Sequence, residues 1–474
     1  MKLKFLNIHL LQIFIITFYS CLALGFNFNI GDGYWTPLRA LYILKIPDLE
    51  ITNRASEFIL STFHNDSFKL FPSIIESIFF NIKGYWDPYI SISIGLISWI
   101  ICYYLIVRLI KINLVLNKGE SHILFTFITL SMFSPLDFFY RFTTVFAIHR
   151  TLPALCVLVI TNLLFNKESL LSKSKLTSFI ILFSIISQLS FSNGFTIWLL
   201  TFAILMLNKK YKFININRIN IKYYLLSGIV CNILYIQFFD FSHITGLANS
   251  VSVNYLKINN ILPYLNNSVT FTSNYMTSFR SDSFINKTFT NSSLIIIYIL
   301  IAYKYIKYEK NNFYSKNIGN LLPFVFINTF YLLPIIANFF ARNNASSPPR
   351  YFVESSLFSI SLVIIFFMKA RYIGQIKLSY LLLYYVSFLA LLNIPSLPIY
   401  LQSQGYLANR NERSSRTVEC IVKTSELSYN SLYKCNLSKD FWHFSKGREL
   451  EHPFIKIKDV ENYSEKVFHV FRKN

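Results

Sequence analysis

YISISIGLISWIICYYLIVRLIKINLVLNK, residues 89–118, is the stretch that decides the fold. Its first nineteen residues carry no charge, and Arg108, Lys111 and Lys118 follow. A helix rises about 1.5 Å per residue, so about 20 apolar residues cross the ~30 Å hydrocarbon core of a bilayer. The run therefore reads as a membrane-crossing helix with a basic end. Similar runs recur on both sides of it.

Composition agrees. The chain has 474 residues, of which 53% are hydrophobic, 18% aromatic and 14% charged. Soluble domains carry about 25% charged residues. The apolar runs are continuous rather than alternating, which argues for helices and against a β-barrel. The expected fold class is an all-α polytopic membrane protein. About eleven transmembrane helices are expected, near 5–25, 89–107, 123–139, 151–166, 176–189, 195–207, 223–239, 293–306, 321–340, 351–368 and 378–394. This divides the chain into a first helix (1–26), an exported loop (27–88), a membrane body (89–396) containing an exported loop (240–292), and an exported C-terminal region (397–474).

The formal net charge is +22, from 45 Lys and Arg against 23 Asp and Glu. In a soluble chain such a balance points to nucleic acid. Here the basic residues gather in the short links at 108–121, 166–175, 208–222, 304–318 and 369–377. With Lys2 and Lys4 these links hold 20 of the 45. That is the positive-inside pattern, and it removes the nucleic-acid reading. It places the N-terminus in the cytoplasm and the links on the same side. The stretches 27–88, 240–292 and 397–474 then face outward. Met1-Lys2-Leu3-Lys4 before an apolar run resembles a signal peptide, but no clear small-residue cleavage site follows, so the run is read as a retained helix. Cys420 and Cys435 lie fifteen positions apart in the outward C-terminal region. A disulfide between them would add roughly 3 kcal/mol in an oxidising compartment.

Residues 27–88 carry seven carboxylates, Asp32, Asp48, Glu50, Glu57, Asp66, Glu76 and Asp87. Two are the candidate bases. Asp66 lies in Phe63-His64-Asn65-Asp66-Ser67-Phe68, ahead of an amphipathic stretch at 74–82. It can accept a proton from a hydroxyl, with His64 orienting it or binding phosphate. Asn65 or Asp66 can equally cap a short interfacial helix. Asp32 lies in Gly31-Asp32-Gly33-Tyr34-Trp35, where glycines permit close approach of a ligand. Turn chemistry explains Asp32 as well as catalysis does. Trp35 stacks on a sugar face or sits in the interfacial aromatic belt.

Arg141, His149 and Arg150 fall at the outward ends of two apolar runs, and Arg342 and Arg350 at the outward ends of two more. Arginine grips phosphate bidentately. Outward arginines run against the positive-inside bias, and a lipid phosphate or diphosphate site accounts for Arg350, Arg141, Arg150 and His149; snorkelling to headgroups is the plainer reading. Ser192-Asn193-Gly194 breaks one apolar run from the next and is explained by a helical-hairpin turn. Metal-ligand spacing and a Gly-rich phosphate loop are both absent from the sequence, so no metal or nucleotide cofactor is expected.

With these residues in view, the chain resembles the C-type membrane glycosyltransferases that take a sugar from a polyprenyl phosphate. Its layout is most similar to the phage-encoded serotype-converting O-antigen glucosyltransferases. The resemblance rests on the long outward loop after the first helix, on Asn65-Asp66-Ser67-Phe68 with Phe71-Pro72, on Asn193-Gly194, on Ser346 with Arg350-Tyr351, and on Cys420 with Cys435. In the family pattern a Glu stands at the Asp66 position, and His and Arg follow where Ser67 and Phe68 stand here. The resemblance implies transfer of a sugar, glucose foremost, to an O-antigen or other surface glycan. The site would lie on the outer face of a bacterial inner membrane. Asp66 or Asp32 would be the base, and Arg350, Arg141 and Arg150 would steady the departing phosphate. His64, Asn65, Trp35, Asn193 and Tyr351 would touch substrate. The partners implied are the polyprenyl-phosphate sugar, the glycan acceptor, membrane lipids and small membrane proteins that supply the donor. An O-antigen polymerase is a rival, although 240–292 holds only Lys257, Arg280 and Lys287 as basic residues. A transporter is another, but it needs ionisable groups near the bilayer midplane, and Glu354 lies close to a helix start.

Overall fold

The computed structural model describes residues 12–18, 70–83, 88–133, 147–165, 171–190, 192–211, 219–238, 287–309, 318–342 and 352–392. Among them there is no strand. Residues 12–18 are helical, and twelve further helical elements follow. They are α1 (Leu70–Lys83), α2 (Pro88–Asn113), α3 (Lys118–Met132), α4 (Ala147–Phe165), α5 (Lys173–Ser190), a 3-10 turn (Ser192–Phe195), α6 (Thr196–Tyr211), α7 (Ile221–Phe238), α8 (Lys287–Glu309), α9 (Ile318–Arg342), α10 (Phe352–Tyr372) and α11 (Ile376–Leu392).

The all-helical expectation matches. The expected count of eleven spans does not. Among the described residues three helices are long and apolar enough to cross a membrane: Ile90–Asn113, Ala147–Phe165 and Val353–Tyr372. Five more apolar helices are shorter, Leu70–Phe79, Thr196–Asn208, Ile221–Tyr235, Asn320–Leu333 and Ile376–Leu391. At about 1.5 Å per residue these fall short of ~30 Å. The start of the fourth expected helix also moves: His149 and Arg150 lie inside the first turn of α4 rather than ahead of it. The amphipathic stretch at 74–82 is part of the longer helix α1.

Helix α4 is the hub. It packs on α2, α5, α9 and α10. Its contact with α2 begins at Gly95, where an added Cβ would stand 2.7 Å from both the carbonyl carbon and the Cβ of Ala147. A residue with no side chain lets two backbones approach closely, as in membrane bundles. Further along, Asn162 Nδ2 reaches the Leu105 carbonyl at 3.4 Å. Early meets early and late meets late, so α2 and α4 run parallel.

The far ends of α2 and α10 meet at a second fixed point. Asn117 caps α3 by accepting from Glu120 N at 2.9 Å, while Asn117 N donates back to Glu120 Oε2 at 2.9 Å. Such a reciprocal cap satisfies two orphan N–H groups. The buried Glu120 then pairs with Arg371 at 3.3 Å, and Asn117 Nδ2 donates to Tyr380 Oη at 3.1 Å. Gly374 makes the turn from α10 to α11 at φ 72°, with Gly374 N to Arg371 O at 3.0 Å and Gln375 N to Ala370 O at 2.9 Å. This left-handed closure is why glycine stands there. Arg108, Lys111, Lys118, Lys369, Arg371 and Lys377 are thereby gathered at one end of the bundle.

Outward faces are apolar. Leu226, Ile229, Val230 and Ile233 on α7, and Ile296, Ile299 and Ile306 on α8, are exposed. A soluble monomer seldom shows apolar surface so widely, and these faces are compatible with a membrane protein.

Replacing Gly95 with leucine forces α2 off α4 and costs about 1–3 kcal/mol or more. Denaturant unfolding of the purified protein in detergent checks this. Gly119→Ala, whose nearest neighbour atom is 3.5 Å away, leaves the midpoint unchanged or slightly raised.

Candidate functional site

At the end of the bundle away from the basic residues, four ionisable side chains from three helices are buried together. His149 and Arg150 come from the first turn of α4, Glu354 from the first turn of α10, and Glu76 from the middle of α1. All four are less than a tenth exposed. Arg150 Nη1 donates to Glu354 Oε1. His149 Nε2 lies 3.7 Å from Glu76 Oε1, and Ser91 Oγ on α2 donates to the same oxygen at 2.7 Å.

The placement has an electrostatic logic. The N-terminus of a helix carries about half a positive charge. Glu354 at the start of α10 is favoured there, whereas Arg150 at the start of α4, and His149 when protonated, are not. Burial adds to that cost, because an ion withdrawn from water needs a partner of opposite sign. Glu354 answers Arg150, and Glu76 answers His149. With His149 protonated the four charges sum to zero; with it neutral the cluster carries one net negative charge. Pro153, buried in the next turn, has no N–H to donate to the His149 carbonyl four residues back. The second carboxylate oxygen of Glu354 is buried and has no hydrogen-bond partner among the described residues. Native proteins rarely leave such an acceptor open without a water, an ion or a ligand to fill it.

Of the residues singled out from the sequence, the structure brings His149 and Arg150 together with two acids. Asn193 lies in the 3-10 turn between α5 and α6. That turn is tight at Gly194, where a Cβ would fall 1.9 Å from the Ser187 carbonyl oxygen. Asp66, Asp32, Arg350, Arg141, His64, Asn65, Trp35, Tyr351, Cys420 and Cys435 lie outside the described residues. Among the described residues no group of three His, Cys, Asp or Glu is arranged to hold a metal ion.

The sequence reading missed three members. Glu76 was one acid among seven, Glu354 was a charge near a helix start, and Ser91 carried no signal at all. A usable clue existed for Glu354 and Arg150. Each is an isolated charge in an apolar run, and such charges seek one another. Comparison with protein-family models, with curated proteins and with solved structures finds no match.

The ion pair generates a test. Arg150→Met leaves Glu354 buried and uncompensated, at a cost of about 3–5 kcal/mol. The double variant Arg150→Met/Glu354→Met recovers most of that loss, because both charges are gone. Unfolding midpoints of the two single variants and the double variant measure the coupling; purely additive losses contradict a direct pair.

Proposed function

We propose that this chain is a membrane transferase that moves a sugar from a polyprenyl-phosphate carrier to a glycan acceptor at the outward face of a bacterial inner membrane. The observation that carries the reading is the buried cluster of Glu76, His149, Arg150 and Glu354 at one end of the bundle. The opposite end holds Arg108, Lys111, Lys118, Lys369, Arg371 and Lys377, which the positive-inside rule assigns to the cytoplasm. The cluster then faces outward. In this reading further helices cross beside the three long ones, up to eleven. The N-terminus lies in the cytoplasm, and 27–88, 240–292 and the C-terminal region lie outside, with Cys420 and Cys435 paired there.

Chain continuity supports the remaining assignments. Asp66 precedes Leu70 by four residues, so it lies within about 14 Å of the start of α1. Arg350 precedes Phe352 by two residues, which bounds it to about 7 Å from the start of α10. Arg141 precedes α4 by six. Each is tethered to a helix that the cluster holds in place. Asp32 has no such short tether, which favours Asp66 as the base.

The chemistry is a single displacement. The bond from the sugar anomeric carbon to phosphate oxygen breaks, and its electron pair leaves with the polyprenyl phosphate. The acceptor oxygen bonds to the anomeric carbon, and its proton passes to the Asp66 carboxylate. Arg350, Arg141 and Arg150 oppose the charge growing on the leaving phosphate, and Glu354 fixes the orientation of Arg150. A buried, open carboxylate oxygen on Glu354 suits a hydroxyl-rich ligand. Trp35, His64, Asn65, Asn193 and Tyr351 complete the substrate contacts. A transporter reading would want these charges near the midplane. Glu354 and His149 each stand third in their helices, about 3 Å from the start, which favours chemistry at the rim.

Expression in a host with a defined O-antigen, followed by sugar analysis of its lipopolysaccharide, tests the proposal. An added sugar is expected, and Asp66→Asn lowers the modification by about 10²–10⁴-fold. Full modification by both Asp66→Asn and Asp32→Asn sinks the assignment of the base. An unchanged glycan across several hosts sinks the transferase.

A further inference from the structure

Helix α1 is amphipathic with its faces reversed. Ser73, Glu76 and Ser77, at helical spacing, are buried against the bundle. The opposite stripe is Phe71, Ile74, Ile75, Ile78 and Ile82, and exposure grows along it, to 50% at Ile78 and 74% at Ile82. A helix lying on a water-soluble body does the opposite: it buries its apolar stripe and wets its polar one. The inward face is polar because Glu76 meets His149 and Ser91, and Ser77 Oγ closes on the Ser73 carbonyl at 2.6 Å.

The outward stripe continues onto α2, on which α1 packs and where Ile97 and Ile101 are also exposed. Its exposed positions are aliphatic on α1 and as far as Ile101 on α2, with Tyr104 beyond them at 58% exposed, and a broad uncharged face of this kind suits acyl chains. Lys83 is exposed in the last turn, at the end of the stripe. The helix has 14 residues, about 21 Å, too short to cross a bilayer.

We infer that α1 is a half-immersed roof over the charge cluster, its outer stripe embedded in the acyl chains of the outward leaflet and its inner face supplying Glu76. The inference rests on the membrane reading above and adds one thing to it. The outer stripe from Phe71 to Ile82 belongs to the lipid, while the rest of the exported loop and Lys83 at the end of α1 remain at the aqueous side. The cluster is therefore walled from lipid by one thin helix, and a carrier with a long hydrocarbon tail meets that wall from within the bilayer.

Photo-crosslinking tests this in the full chain. Benzoyl-phenylalanine replaces Ile78, Ile82 or, as a reference on α7, Ile229, and each variant is placed in phosphatidylethanolamine–phosphatidylglycerol vesicles. Phospholipid adducts at Ile78 and Ile82, in yield comparable to Ile229, are expected after irradiation. Adducts at Ile229 with none at Ile78 and Ile82 overturn the roof while leaving the membrane body intact. Protein–protein adducts at Ile78 and Ile82 overturn it in favour of a second copy or another protein. No lipid adduct at any of the three sites overturns it together with the membrane reading.

Discussion

The pairing of Arg150 with Glu354 is the constraint on which the rest of the structure depends. It joins α4 to α10, two of the three helices that are long and apolar enough, among the described residues, to span a bilayer. An arginine in the first turn of a buried helix is disfavoured twice, by desolvation and by the helix dipole. It is tolerated only where a carboxylate is delivered to it, and Glu354 arrives on the one helix end whose dipole welcomes an acid. The pair therefore dictates that α4 and α10 begin at the same level. The close approach of Gly95 to Ala147 sets α2 alongside, its first two turns reaching past the start of α4. From those turns Ser91 joins Glu76 of α1 to the cluster.

The opposite end is closed in a different way. There Glu120, Asn117, Arg371 and Tyr380 tie two tight turns together, and Lys369 lies over the Tyr305 ring at 4.1 Å. One end thus buries balanced charge, and the other displays positive charge. Between them, polar side chains are spent locally. Trp198 donates to Gln188 at 2.7 Å, Asn328 Nδ2 reaches the Phe358 carbonyl at 3.1 Å, and Trp99 donates to the Met132 carbonyl at 2.8 Å. Such bonds fix helix rotation in a bundle whose outer face gives little guidance, since lipid tails are as apolar as leucine. Among the described residues, the end at His149 and Arg150 combines burial, opposite charges and an open acceptor on Glu354.

Much of the fold was legible because apolar runs report helices directly. The expected runs fall within or overlap the helices wherever the chain is described, and the break at Ser192-Asn193-Gly194 is a turn. The number of crossings was not legible, since an apolar run shows that a helix forms and is buried but not whether it reaches both faces. The site was half legible. His149 and Arg150 drew notice as outward cations. Their acids did not, because Glu76 and Glu354 are paired with them over separations that no local pattern encodes. Glu76 was hidden further by α1 itself: an amphipathic stretch invites the assumption that its polar side meets water, and here that side meets the bundle.

The central claim is that the charge cluster and the basic end lie on opposite faces of a membrane, with the cluster outward. Single cysteines at Lys83 and Lys377, both exposed, report on the two ends. Intact cells would be treated with a membrane-impermeant maleimide, and labelling compared with that of the unaltered chain. Lys83→Cys should label in intact cells, and Lys377→Cys only after permeabilisation. The reverse order, or equal labelling of both in intact cells, would contradict the account.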